Sequence, residues 1–100
     1  ALYRRALRGF RDALSELRAG LHLTDPPPAA DAMAHRMHDL QGLAGTVGAR
    51  LLQAAARDLH RALALGDHDA THAGRARVDA AGRDALREVD RMLAKDAPAP

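Results

Sequence analysis

The sequence predicts an all-α domain, an up-down-up-down antiparallel four-helix bundle. Hydrophobic residues make up 47% of the 100 positions but aromatic residues only 2%. Much of the hydrophobic fraction is alanine, the best helix former, which adds little core volume and favours closely packed helices. Isoleucine is absent and β-branched residues are scarce, which argues against a sheet. Apolar residues recur at spacings of three and four in four segments, and short connections between such segments favour this bundle.

The first two predicted helices span residues 2–21 and 29–47. A proline-rich segment at 24–28 separates them, because proline lacks the backbone N–H and restricts the residue before it. Gly48 provides a stop for the second helix, since glycine tolerates a positive φ. The predicted apolar stripes consist of Tyr3, Leu7, Phe10, Leu14, Leu17 and Leu21 in the first helix, and of Met33, Met37, Leu40, Ala44 and Val47 in the second.

The last two predicted helices span residues 49–65 and 70–95. Gly66 ends the third helix, and Asp67 or Asp69 is available to cap the fourth. Residues 1–95 therefore form one domain, and 96–100 are expected to be a frayed tail. The predicted buried positions are Leu52, Ala55, Leu59, Ala62 and Leu63 in the third helix, and Val78, Gly82, Ala85, Val89 and Leu93 in the fourth.

Charge and composition argue against several classes of partner. The net charge is only +2, and basic residues alternate with acidic ones instead of forming an aromatic-studded patch, which disfavours nucleic-acid binding. Cysteine is absent, so disulfides and thiolate metal sites are excluded. No apolar run approaches the ~20 residues that cross a bilayer, and no signal peptide is visible. We expect a cytoplasmic domain without direct membrane contact, monomeric when isolated.

The second helix carries a candidate functional histidine. When its apolar stripe faces the core, His38 points toward solvent, with Gln41, Gly42, Gly45 and Ala34 on the same side. Each glycine inside a helix costs about 0.8–1.0 kcal/mol relative to alanine, so two glycines in an alanine-rich chain need a reason. Their outward direction favours access for another molecule; the alternative is close approach of a neighbouring helix of the bundle.

An exposed imidazole on a rigid helix suits phosphoryl transfer. A neutral ring nitrogen is a competent nucleophile, and it needs little activation when a partner brings an activated phosphoryl donor and a metal ion. The requirements on this chain are exposure, a firm mount and room for the partner. His38 is predicted to meet all three.

The segment from His38 to Ala49, HDLQGLAGTVGA, resembles the phosphotransfer signature of histidine-containing phosphotransfer (HPt) domains. That signature has a histidine, an apolar residue two positions later, usually a lysine at three, a glycine at four and a closing glycine at ten. His38, Leu40, Gly42 and Gly48 match it. The resemblance extends over nearly the whole chain in helix order and loop placement, although the twelve-residue motif is its specific part.

The resemblance implies that His38 accepts a phosphoryl group from a receiver-domain aspartyl phosphate and passes it to a response-regulator receiver. It implies that Gly42 keeps the docking face open, and that magnesium is held by the partner receiver and no cofactor by this domain. Gln41 stands where the family usually has lysine; an amide donates a hydrogen bond but carries no charge. His35 and Arg36, with Ala34, are candidate docking residues, the arginine suiting an acidic receiver.

HPt domains often lie at the C-terminus of bacterial hybrid sensor histidine kinases. Since the chain starts at Ala1 without methionine, we expect an excised module, such as the cytoplasmic part of an inner-membrane sensor kinase. High alanine and arginine usage suggests a GC-rich bacterial genome. No autonomous kinase or hydrolase activity is expected, because no phosphate-cradling glycine loop is present and the sole lysine is Lys95.

Two alternative functions stay open at this point. The spacings of His35 with His38, and of His68 with His72, allow a weak metal site on one helix face, although zinc sites usually add a third ligand. An HPt-like bundle that only docks partners is the other alternative, because the charge-free Gln41 replaces the usual lysine.

Overall fold

In a computed structural model of the protein, four α-helices follow one another along the chain: α1 (Leu2–Leu23), α2 (Ala30–Val47), α3 (Arg50–Leu65) and α4 (His68–Lys95). The structure describes residues 2–23 and 30–95, with side chains described for 3–17 and 31–95. The predicted all-helical class is confirmed. The proline-rich segment and the predicted frayed tail lie outside the described residues.

The predicted apolar stripes form the core. Helix α1 contributes Leu7, Phe10 and Leu14, each at most 1% exposed. All five predicted positions of α2 face the core, Val47 as a partly buried residue at its edge. Tyr3 was wrongly assigned to the stripe: it is 53% exposed, because it lies one turn beyond the last buried position at the start of α1. Leu21 falls outside the described side chains.

Each of the two short connections between helices contains a glycine in the left-handed conformation. Gly48 and Gly66 have φ values of 78° and 67°. After α2, the N–H of Gly48 donates to the carbonyl of Gly45 at 3.2 Å, and the N–H of Ala49 donates to that of Ala44 at 2.9 Å. Gly66 and the residue after it repeat the same pattern at the end of α3. This paired bonding satisfies carbonyls that a helix end would otherwise leave free, and it confirms the stop predicted at Gly48.

Helix α4 begins two residues before the predicted boundary. Asp67 is its cap: the Oδ1 atom accepts a hydrogen bond from the N–H of Ala70 at 3.0 Å. The prediction placed the start at residue 70 and left open whether Asp67 or Asp69 would cap the helix. With Asp67 as the cap, His68 and Asp69 belong to the first turn, where a carboxylate also favours the helix dipole.

Each helix packs against two others, in the cyclic order α1, α2, α3, α4. The pairings indicate antiparallel neighbours. The position of Gly45 on α2 lies against Gln53 on α3, and His38 lies against His60, so both pairs are centred on Ala49. These contacts agree with the predicted up-down-up-down order. Within residues 2–23 and 30–95, no helix has the length and apolar character needed to cross a bilayer.

Helix α4 approaches α3 closely at Gly74. A Cβ atom on this glycine would lie 3.1 Å from Cδ1 and 3.4 Å from Cα of Leu59, which is itself fully buried. Gly74 and the fully buried Ala56 were not among the predicted core positions. Both are small residues that allow close contact between helices, and Ala56 does not stand out in a chain this rich in alanine.

Candidate functional site

His38 lies near the middle of α2 and is exposed, as predicted. The side chains of Met37 and Leu40 on the same helix are at most 2% exposed and hold this face of α2 against the core. The ring of His38 is therefore attached to a backbone that packing keeps in place, while the side chain itself is exposed to solvent. Among the described residues, no hydrogen bond or ion pair engages this ring.

A second imidazole lies beside it. The ring centroids of His38 and His60 are 6.1 Å apart, and the ring planes are inclined at 47°. This separation lies within the range of interacting aromatic rings, and the tilt leaves the ring faces unstacked. His60 is half-buried on α3. Its ring, like that of His38, has no hydrogen-bond or charged partner among the described residues.

The two rings belong to two facing rows of residues. On α2 the row is Ala34, His38, Gln41 and Gly45, and on α3 it is Gln53, Arg57, His60 and Ala64. Both rows have spacings of four, three and four, which place their members on one face of a helix. The observed pairing of Gly45 with Gln53 and of His38 with His60 sets the register, which places Arg57 opposite Gln41. We call this surface the α2–α3 face.

The two glycines of the motif differ in their surroundings. A Cβ atom on Gly42 would meet nothing within 4 Å, as expected if this glycine keeps the surface beside His38 open. A Cβ atom on Gly45 would lie 2.6 Å from Nε2 of Gln53. The contact is with the far end of the long Gln53 side chain, which reaches across from α3, and both residues are exposed. A side chain at position 45 would therefore displace Gln53 and would not meet the core.

Between the histidines and the turn at Ala49, one polar side chain links α3 to α2 and another bonds within α2. Nε2 of Gln53 donates a long hydrogen bond of 3.5 Å to the backbone carbonyl of Gln41. The hydroxyl of Thr46 donates to the carbonyl of Gly42 at 2.9 Å, which gives this exposed stretch of backbone a second hydrogen-bond donor. The side chain of Gln41 itself is half-buried and lies one turn after His38.

The three candidate docking residues do not form one group. His35 is exposed, and its Nε2 atom lies 3.5 Å from Oδ2 of Asp39, a pairing along α2. Ala34 is half-buried in the row that contains His38. Arg36 borders a surface depression together with Ala13, Glu16 and Leu17 of α1. It therefore lies on the side of α2 that faces α1, whereas His38 lies on the side of α2 that faces His60 of α3.

The geometry allows nucleophilic chemistry and offers little to a metal ion. Within the described ranges, no three side chains of the histidine, aspartate, glutamate or cysteine type come together as a metal site. The exposed nitrogen of His38 can reach an electrophile brought by another molecule, and Gly42 leaves space for that molecule.

The sequence predicted the exposed positions of His38 and Gly42 but not the α3 residues that face them, His60, Gln53 and Arg57. All three lie on α3, and periodicity within α2 carries no information about which α3 residues face it. A signal was present, however. His38 and His60 are each eleven positions from Ala49, so an antiparallel hairpin with a tight turn at that residue brings them to the same level.

Comparison with known proteins gives one match. The chain matches a family model described as the Hpt domain over residues 2–95, which is nearly its full length. No curated protein and no solved structure matches it.

Proposed function

This chain belongs to the Hpt domain family, and from that membership and the geometry of the α2–α3 face we propose that His38 is its phosphoacceptor. Hpt domains carry phosphoryl groups on histidine in two-component phosphorelays and interact with response-regulator receivers. The observation that carries the assignment is an exposed imidazole at the histidine position of the motif, on a helix whose opposite face is buried, and beside an open glycine.

The proposed donor is a receiver-domain aspartyl phosphate. A ring nitrogen of neutral His38 attacks the phosphorus with its lone pair, so that an N–P bond forms. The P–O bond to the aspartyl carboxyl breaks, and its electron pair leaves with the carboxylate. The second ring nitrogen keeps its proton. In the forward step a second receiver takes the group: its aspartate attacks the phosphorus and the imidazole leaves as neutral histidine.

This chain contributes the helix that positions His38 and the free space at Gly42, and the partner receiver supplies the remaining chemistry. We place the magnesium ion on the receiver, where it would neutralise charge on the phosphoryl oxygens. This chain binds no cofactor in the proposal. The buried stripe of α2 holds the imidazole at a fixed angle, which preserves the in-line geometry of attack.

The α2–α3 face is the proposed receiver-docking surface. Arg57 is exposed on it, and its nearest carboxylate contact is a long one of 3.9 Å to Asp58. A guanidinium here suits an acidic partner better than Arg36, which lies toward α1. Charged groups at the rim of an interface act mainly on the association rate, so docking should weaken as salt rises.

The test is transfer from a phosphorylated receiver to this chain, with acid-labile phosphate as the readout. His38→Gln should abolish acceptance and leave the helical circular dichroism nearly unchanged, because the exposed ring has no core role. His72→Gln, at an exposed histidine of α4, is the matched control and should accept phosphate normally. Undiminished labelling of His38→Gln would refute the assignment, and a chain that docks without labelling would be a docking module only.

A further inference from the structure

The environment of His38 contains a polar group with no assigned partner. His60 is half-buried, lies 6.1 Å from His38 between ring centroids, and has no hydrogen-bond or charged partner among the described residues. A neutral imidazole has one N–H donor, and a protonated one has two. A partly desolvated N–H donor beside an exposed nucleophile is well placed to donate a hydrogen bond to a group bound to that nucleophile.

Phosphorylation changes the charge at this position. A phosphoryl group bound to a His38 nitrogen brings three acceptor oxygens and negative charge. The residue one turn later, Gln41, is neutral, and the carboxylate of Asp39 next to His38 is repulsive. His35, one turn before His38, is paired with Asp39. Among the described residues of α2, no unpaired cationic group therefore lies one turn from His38. On the α3 side, the imidazole of His60 lies close.

We infer that His60 donates a hydrogen bond to the phosphoryl group on His38 and thereby stabilises the phosphorylated form of this domain. The inference rests on the proposed function, since it presumes phosphate on His38. His60 forms no covalent bond to phosphorus. Its ring N–H contacts a phosphoryl oxygen across the gap between α2 and α3, with the donor supplied by a different helix from the nucleophile.

The ring geometry leaves the N–H of His60 available. At 6.1 Å and 47° the rings are not stacked, and no hydrogen bond joins them, so the donor of His60 is not used by His38 itself. Arg57 is the competing donor, because the register places it on the same face. It is more exposed, and a fully solvated guanidinium contributes less.

The experiment measures how phosphate distributes between a receiver and this chain at equilibrium. His60→Ala removes the donor and should shift the equilibrium about two- to tenfold toward the receiver, the effect of losing one hydrogen bond. His60→Gln retains an N–H donor and should restore most of the loss. His72→Ala is the matched control and should leave the equilibrium unchanged, because this exposed histidine lies on α4.

A spectroscopic readout separates contact from simple structural support. With His38 phosphorylated by phosphoramidate in the absence of any receiver, the ring ¹⁵N signals of His60 should shift, and those of His72 should not. Arg57→Gln should shift the equilibrium less than His60→Ala. An unchanged equilibrium in His60→Ala, equal losses in His60→Gln and His60→Ala, or a larger effect of Arg57→Gln would overturn the inference.

The outcomes distinguish this inference from the function beneath it. If the wild-type chain takes no phosphate from a phosphorylated receiver, the proposed function fails. If it does take phosphate and His60→Ala behaves as the wild type, only the role of His60 fails. Phosphate found on His60 itself would make it a second acceptor and would also overturn the inference.

Discussion

Single glycines decide how a partner reaches His38. Gly42 has open space where a Cβ would be, so a side chain placed there would stand beside the imidazole in the path of a receiver. Gly42→Gln should raise helix propensity by up to about 1 kcal/mol, and the stability of the fold should hold or rise while phosphotransfer slows. Stopped-flow or quench measurements of transfer, with thermal unfolding in parallel, check both effects.

Gly9 provides the matched control for this substitution. It too is an exposed helical glycine with nothing within 4 Å of its Cβ position, but it lies on α1. Gly9→Gln should therefore give a similar gain in stability and normal transfer kinetics. Wild-type transfer in Gly42→Gln, or equal slowing in both variants, would contradict the role in access.

Gln41 tests the electrostatic account of the same site. A lysine here would place a positive charge one turn from the phosphorylated ring, where a charge-assisted hydrogen bond is roughly twice as strong as a neutral one. We expect Gln41→Lys to lengthen the phosphohistidine half-life or shift the equilibrium toward this domain by about 0.5–1 kcal/mol, less at high salt. An unchanged half-life without receiver, together with slower transfer, would favour a docking role for Gln41 instead.

At the scale of the helices, the close contact of α3 with α4 limits the size of the side chain at position 74. Gly74→Ala would bring a methyl group to 3.1 Å from Cδ1 of the buried Leu59. Overpacking of this kind costs about 1–3 kcal/mol, which outweighs the gain in helix propensity of about 1 kcal/mol. Gly74→Ala should therefore lower the free energy of unfolding, whereas Gly9→Ala should raise it. Denaturant unfolding of the pair is the measurement, and equal stabilisation would show that Leu59 can move aside.

The start of α4 depends on one carboxylate. Asp67→Ala removes the acceptor for the N–H of Ala70, and loss of such a cap costs about 1 kcal/mol. Asp67→Asn retains an oxygen acceptor and should cost much less. Because Asp67 lies seven residues after His60 and is not part of the α2–α3 face, phosphotransfer at His38 should be preserved in both variants. Equal destabilisation by both substitutions would argue against the cap.

The sequence was sufficient for features that depend on one helix and insufficient for those that depend on two. Periodicity within α2 predicted both the buried Met37 and the exposed His38, because a single period fixes both faces of a helix. The contact of Gly45 with Gln53 was not predicted, since it depends on a side chain that reaches across from another helix. His60 was missed for the same reason: its proximity to His38 follows from the register of the hairpin.

At the scale of the whole molecule, the described part of the surface carries its large hydrophobic residues singly. The exposed ones among the described residues are Tyr3, Leu51 and Leu65, on α1 and at the two ends of α3. Scattered residues of this kind are ordinary on soluble monomers and do not form an interface. We therefore expect the isolated chain to sediment as a monomer at micromolar concentration. A concentration-dependent dimer that also slows transfer would instead place a second copy on the α2–α3 face.

The length of the tight turn at Gly48 and Ala49 also sets the register of α3 against α2. One residue inserted there would advance α3 by about 100° of helical phase relative to α2 and turn His60 away from His38, although no atom of the turn lies at the site. The distance between His38 and His60 thus depends on the number of residues in the turn as well as on the identity of the two residues. An insertion or deletion of one residue in this turn would move the donor His60 and leave the nucleophile His38 in place.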